Sequence, residues 1–105
     1  MKQDYLYRYT SEGEGIFTAG KRLLPESLIN EVLEAKKWLP KPSLNPNFEY
    51  KFYLTSKGKE QYENTLLNVH RKYLKDIKLE LFETEKLKSE KEIAFQDQWQ
   101  VVFKK

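Results

Sequence analysis

Residues 48–74, FEYKFYLTSKGKEQYENTLLNVHRKYL, change their hydrophobic period partway through. Phe48, Tyr50, Phe52 and Leu54 alternate with Glu49, Lys51, Tyr53 and Thr55, the period of two expected of a half-buried strand. Thr55 or Ser56 can cap a helix that begins there. Tyr62, Leu66, Val69 and Tyr73 then recur at helical spacing, flanked by Leu67, His70 and Leu74, which predicts a long amphipathic helix from about Ser56 to Leu74. A strand that runs directly into a helix, each with one apolar side, requires a sheet with helices laid on it.

The flanks fit that frame. On the N-terminal side, Asp4 to Tyr9 alternate, with Tyr5, Tyr7 and Tyr9 on one side and Leu6 and Arg8 on the other, an aromatic strand. Leu28, Ile29, Val32 and Leu33 predict a helix over Pro25–Lys37, with proline at its first position and Glu26 near the positive end of the dipole. WLPKPSLNPN holds three of the four prolines and reads as an irregular connector. On the C-terminal side, Ile77, Leu79 and Leu81 alternate with charged residues. Ile93, Phe95, Trp99, Val101 and Phe103 occupy odd positions beyond the hydrophilic run ETEKLKSEKE. These two segments are expected to pair as an antiparallel hairpin with a long loop. The order β-α-α-β-α-β-β predicts a single α+β domain over residues 1–105, a mostly antiparallel sheet of about four strands with two main helices on one face.

The composition excludes more chemistry than it suggests. A chain of 105 residues supports one domain, and fifteen aromatics argue against disorder. No cysteine occurs, which removes disulfides, thiol nucleophiles and thiolate-bound zinc. The N-terminus MKQDYLYRY has no apolar signal segment and the chain has no long apolar run, so a soluble, cytoplasmic protein without a membrane partner is expected. The net charge of +3 comes from 19 basic and 16 acidic residues, mildly basic and well mixed. Lysine heavily outnumbers arginine, the habit of an AT-rich genome.

Catalytic signals are absent. His70 is the sole histidine, so a two-imidazole mechanism is impossible, and its place beside an apolar stripe reads as structural. No serine sits in a glycine-flanked elbow. Glu31, Glu34, Glu60 and Glu63 fall on solvent faces within reach of lysines at helical spacing. Asp97 alone breaks its pattern, an acid at an odd position in IAFQDQWQVVF. It reads as a bulge or an open sheet end, the sharper alternative being a polar site beside the aromatic strand. No catalytic residue, metal or cofactor is expected.

TSEGEGIFTAGKR, residues 10–22, has the composition of a phosphate loop but not the spacing, and Glu12 and Glu14 bracket Gly13 with negative charge. A capping box from Ser11 to Glu14, with Gly20 ending a short helix, accounts for the same residues better. What remains of a binding surface is Arg8, Lys21 and Arg22 beside Tyr5, Tyr7 and Tyr9, since aromatic rings next to cations can stack a base or anchor a partner protein.

INEVLEAKKWLPKPSLNPNFEYKFYLTSKGKEQYE, residues 29–63, resembles the helix–wing–helix part of winged-helix transcription regulators, chiefly in FYLTSKG. The resemblance implies DNA binding, with Lys36, Lys37, Lys41 and Lys51 as phosphate contacts. The favoured expectation is different: a small non-catalytic accessory or inhibitor protein of phage or bacterial origin, acting on a protein partner or a small anionic, nucleotide-like ligand. The exposed edge of a small sheet also suits homodimer formation.

Overall fold

The computed structural model describes residues 5–105; Asp4, the first residue of the expected N-terminal strand, lies outside them. The described chain forms a mixed α+β domain around one six-stranded antiparallel sheet. Its strands are β1 (Tyr5–Ser11), β2 (Glu14–Gly15), β3 (Tyr50–Leu54), β4 (Ile77–Glu83), β5 (Glu92–Gln96) and β6 (Gln100–Lys104). The helices are α1 (Ile16–Leu23), α2 (Glu26–Ala35), α3 (Ser56–Thr65), α4 (Leu67–Tyr73) and α5 (Thr84–Glu90). Across the sheet β4 lies beside β1, β1 beside β2 and β3, and β3 is followed by β6 and β5.

The α+β class agrees with the sequence reading, while several local features correct it. First, Ile77–Glu83 does not pair with the C-terminal strand. It runs antiparallel to β1 over its whole length, from Tyr5↔Glu83 to Ser11↔Ile77. Second, Ile93–Phe103 is a hairpin rather than one strand. Asp97 turns it, its Oδ1 accepting from the backbone N–H of Trp99 at 2.8 Å and of Gln100 at 2.9 Å, so the acid at an apolar position marks a side-chain-stabilised turn. Third, TEKLKSE is helix α5, anchored by buried Thr84 and Leu87.

Fourth, no capping box forms at Ser11. Ser11 belongs to β1 and donates its hydroxyl to the Lys75 carbonyl at 2.6 Å. Glu12 (φ 50°) and Gly13 (φ 83°) make a two-residue hairpin loop between β1 and β2, the positive-φ pair that a type I′ turn demands. Gly20 does not end α1 but lies buried within it. A Cβ there would stand 3.0 Å from Nε2 of His70, so glycine lets α1 press onto the imidazole.

The helix expected over residues 56–74 is broken at Leu66 into α3 and α4. Thr65 turns its hydroxyl back to the Gln61 carbonyl at 2.7 Å, a bond that bends helices.

Both sheet faces are packed. On one, Tyr9 and Leu54 meet Ile16 and Ala19 of α1 and Tyr62, Leu66 and Leu67 of the α3–α4 region. On the other, Leu6, Tyr53, Val101 and Phe103 meet Leu87 of α5, so the helices do not all share one face. Residues such as Tyr62, Leu6, Val102 and Phe103 are fully buried, each removing on the order of 2 kcal/mol of apolar exposure from water.

Candidate functional site

The ladder between β1 and β3 consists of a single pair, Tyr7↔Leu54. Beyond it the strands part: the end of β1 turns into the β2 hairpin, while β3 continues along β6. The wedge between them is a groove of about 570 Å³, walled by β1, the β2–α1 junction, the proline-rich connector and β3. That volume lies within the range of ligand pockets.

Six cations line the groove: Arg8, Lys21, Lys36, Lys41, Lys51 and Lys105. None of them forms an ion pair among the described residues. Among the described residues Glu14 is the one acid on the lining, and its carboxylate accepts a hydrogen bond from the Arg22 guanidinium outside the groove. Burial, followed by the like charges of Lys21 and Lys41, lowers the Lys36 pKa from its ordinary value. Lys51 is lowered as well, by burial first and then by Arg8, with Glu80 opposing. Cations crowded and partly dried, with acids too few to match them, form a field that an anion would relieve.

Aromatic rings lie among the charges. Lys36 Nζ stands 5.1 Å from the centre of the Phe17 ring, and Lys51 Nζ 5.9 Å from that of Tyr53. Tyr50 and Phe52 also line the groove, with Phe52 46% exposed. The Arg8 guanidinium occupies the place that a Cβ on residue 15 would need, at 3.0 Å, so Gly15 makes room for it at the start of α1.

The structure divides the residues singled out in the sequence. Tyr7, Arg8, Tyr9 and Lys21 line the groove together with Lys36, Lys41 and Lys51. Tyr5 stands at the far end of β1, Arg22 is held by Glu14, and Lys37 pairs with Glu34 at 2.8 Å. Tyr9 also serves the core, its ring 4.9 Å from that of Tyr62 and its hydroxyl donating to Glu63. That hydrogen bond and Lys59 hold the Glu63 pKa below its usual value against the effect of burial. Phe17, Phe52 and Lys105 were missed; aromatic residues next to the basic stretches around Lys21 and Lys51 were the available signal.

FYLTSKG has a structural explanation. The Thr55 hydroxyl accepts from Gly58 N–H at 3.1 Å, capping α3, and donates to the Gln98 carbonyl at 2.6 Å. A Cβ at Gly58 would fall 1.9 Å from the Trp99 carbonyl oxygen, so glycine lets the start of α3 rest on the β5–β6 turn. The only strand between residues 29 and 63 is β3, whose partners are β1 and β6, so this segment forms no hairpin of its own.

Among the described residues no cluster of His, Asp and Glu could hold a metal, and no helix is long and apolar enough to cross a membrane. No protein-family model matches the chain, and no curated protein or solved structure is significantly similar to it.

Proposed function

We propose that this chain is a non-catalytic binding protein whose groove takes a nucleotide-like anion, in keeping with an accessory or inhibitor role. The observation that supports the reading is the set of six cations, without an ion pair among the described residues, around a lining whose one described acid, Glu14, is occupied by Arg22. Phosphate oxygens would meet Arg8, Lys21 and Lys36, and a base would stack on the rings of Phe17 or Phe52, the combination that binds nucleotides without reading sequence.

Calorimetry with a nucleoside triphosphate, inorganic phosphate, the neutral nucleoside, a single-stranded oligonucleotide and a DNA duplex tests this. Binding is expected to require both phosphate and base, and to weaken about tenfold or more on Arg8→Ala or Lys36→Gln, since a hydrogen bond to a charged group is worth about 1.5–3 kcal/mol. Salt should weaken it, while Lys37→Gln, outside the groove, leaves it unchanged. Absence of binding to every phosphorylated ligand would refute the reading. Preference for the duplex with loss on Lys37→Gln would replace it with DNA binding.

A further inference from the structure

β4 forms an outer edge of the sheet. Among the described residues its only ladder partner is β1, so the other side of Ile77–Glu83 offers its backbone donors and acceptors to a further strand. Proteins usually blunt such an edge with a proline, a bulge, a very short strand or charged side chains, lysine above all, and of these β4 has only the charges, Lys78, Glu80 and Glu83. β4 is seven residues long, without proline, in unbroken register with β1, and carries Leu81 at 55% exposure.

A strand pairing with its own copy about a two-fold axis is tightly restricted. Opposed residues in an antiparallel ladder both point their backbone groups at the partner or both away, so a self-pairing strand opposes only residues of equal parity, and the axis passes through one residue. Centred on Lys78, the pairing sets lysine against lysine; centred on Glu80, it sets glutamate against glutamate and Lys78 against Phe82. Centred on Leu79, every pair formed within β4 is favourable: Leu79 meets Leu79, Ile77 meets Leu81, and Lys78 meets Glu80 on both sides of the axis. Opposite charges and apolar pairs directly across a ladder each stabilise it.

We infer that β4 is a homodimer interface, joining two copies antiparallel with Leu79 on the two-fold axis. On one face the pairing covers Leu81 with Ile77 of the second copy. On the other it extends the row formed by Arg8 and Glu80, which are opposite each other in the β1–β4 ladder, with Lys78 of the second copy. The surface is separate from the groove, whose lining contains no residue of β4.

Sedimentation equilibrium of the full chain, with circular dichroism of each variant, tests the inference. Lys78 and Glu80 are both exposed, so their substitution spares the core. The wild type is expected to dimerise, and Lys78→Glu and Glu80→Lys each to weaken the dimer about tenfold or more, through lost ion pairs and new like-charge contacts. The double variant K78E/E80K restores it, and an equimolar mixture of the two single variants forms a heterodimer. A wild type that is monomeric at about 0.1 mM overturns the inference. So does a dimer indifferent to the single reversals, or one that neither the double variant nor the mixture rescues.

Discussion

His70 shows how much one buried side chain can govern. It is 1% exposed, Nδ1 shares a 2.7 Å hydrogen bond with the Tyr62 hydroxyl, and Phe17 packs edge-on to the ring. Burial, with a smaller contribution from Lys36, pushes its pKa down from 6.5 to about 4. The folded state therefore refuses a proton that the unfolded chain accepts, and stability falls as pH drops from 6.5 towards 4, then levels off for this group. The loss is on the order of 3 kcal/mol. Glu63, whose pKa is also lowered, acts in the same direction but only below 4.5, so urea unfolding between pH 6.5 and 4.5 isolates the histidine. His70→Gln is expected to be less stable at pH 7 and to have a flatter pH profile in that window; an unchanged slope would contradict the assignment.

At the scale of elements, Gly58 joins three of them: β3 ends at Leu54, Thr55 caps α3, and the helix start rests on the carbonyl of Trp99 in the β5–β6 turn. Gly58→Ala is expected to cost about 3 kcal/mol or more through overpacking against backbone, a drop in Tm of roughly 12 °C or more. Gly13→Ala is the comparison. Its φ of 83° is unfavourable for alanine but nothing stands within 4 Å, so about 1 kcal/mol is expected. Thermal melts of both variants check the order. The elements legible in the sequence were those with a strong period: β1, α2, the strand at Tyr50–Leu54 and the helical stripe from Tyr62 to Tyr73. Illegible were those decided by a few special residues. Glu12-Gly13 takes the positive-φ turn usually marked by Asn-Gly, and Asp97 bends what alternation presents as one strand. α5 has a single large buried apolar residue, Leu87, too few to show a stripe. The partner of β4 was illegible for another reason: β1 lies more than sixty residues away, and antiparallel partners are chosen by tertiary packing.

For the whole molecule, five of the six groove cations, all but Lys105, were singled out one by one in the sequence, whereas their convergence depends on the parting of β1 from β3, which no local pattern encodes. Their mutual repulsion opposes folding in the free protein. Screening shortens from about 30 Å at 0.01 M salt to about 8 Å at 0.15 M, so the Tm of the ligand-free chain should rise by a few degrees over that range, the opposite of the effect expected on nucleotide affinity. Lys36→Met should raise the Tm at low salt and reduce the salt dependence while weakening binding. Thermal melts across a salt series measure all of this; a wild-type Tm that falls with salt would show that the cations are neutralised within the fold.

The single Tyr7↔Leu54 bridge divides the sheet into two stitched halves, β4–β1–β2 and β3–β6–β5. Along the chain these halves are interleaved. A cut anywhere between Leu54 and Ile77 gives one fragment β1 and β3 and the other β4 and β6, leaving both long ladders to be rebuilt across the break. The seam that opens the groove is thus no boundary at which the chain could be divided into modules. Two such fragments are natural candidates for split-protein complementation, each serving as the missing template of the other.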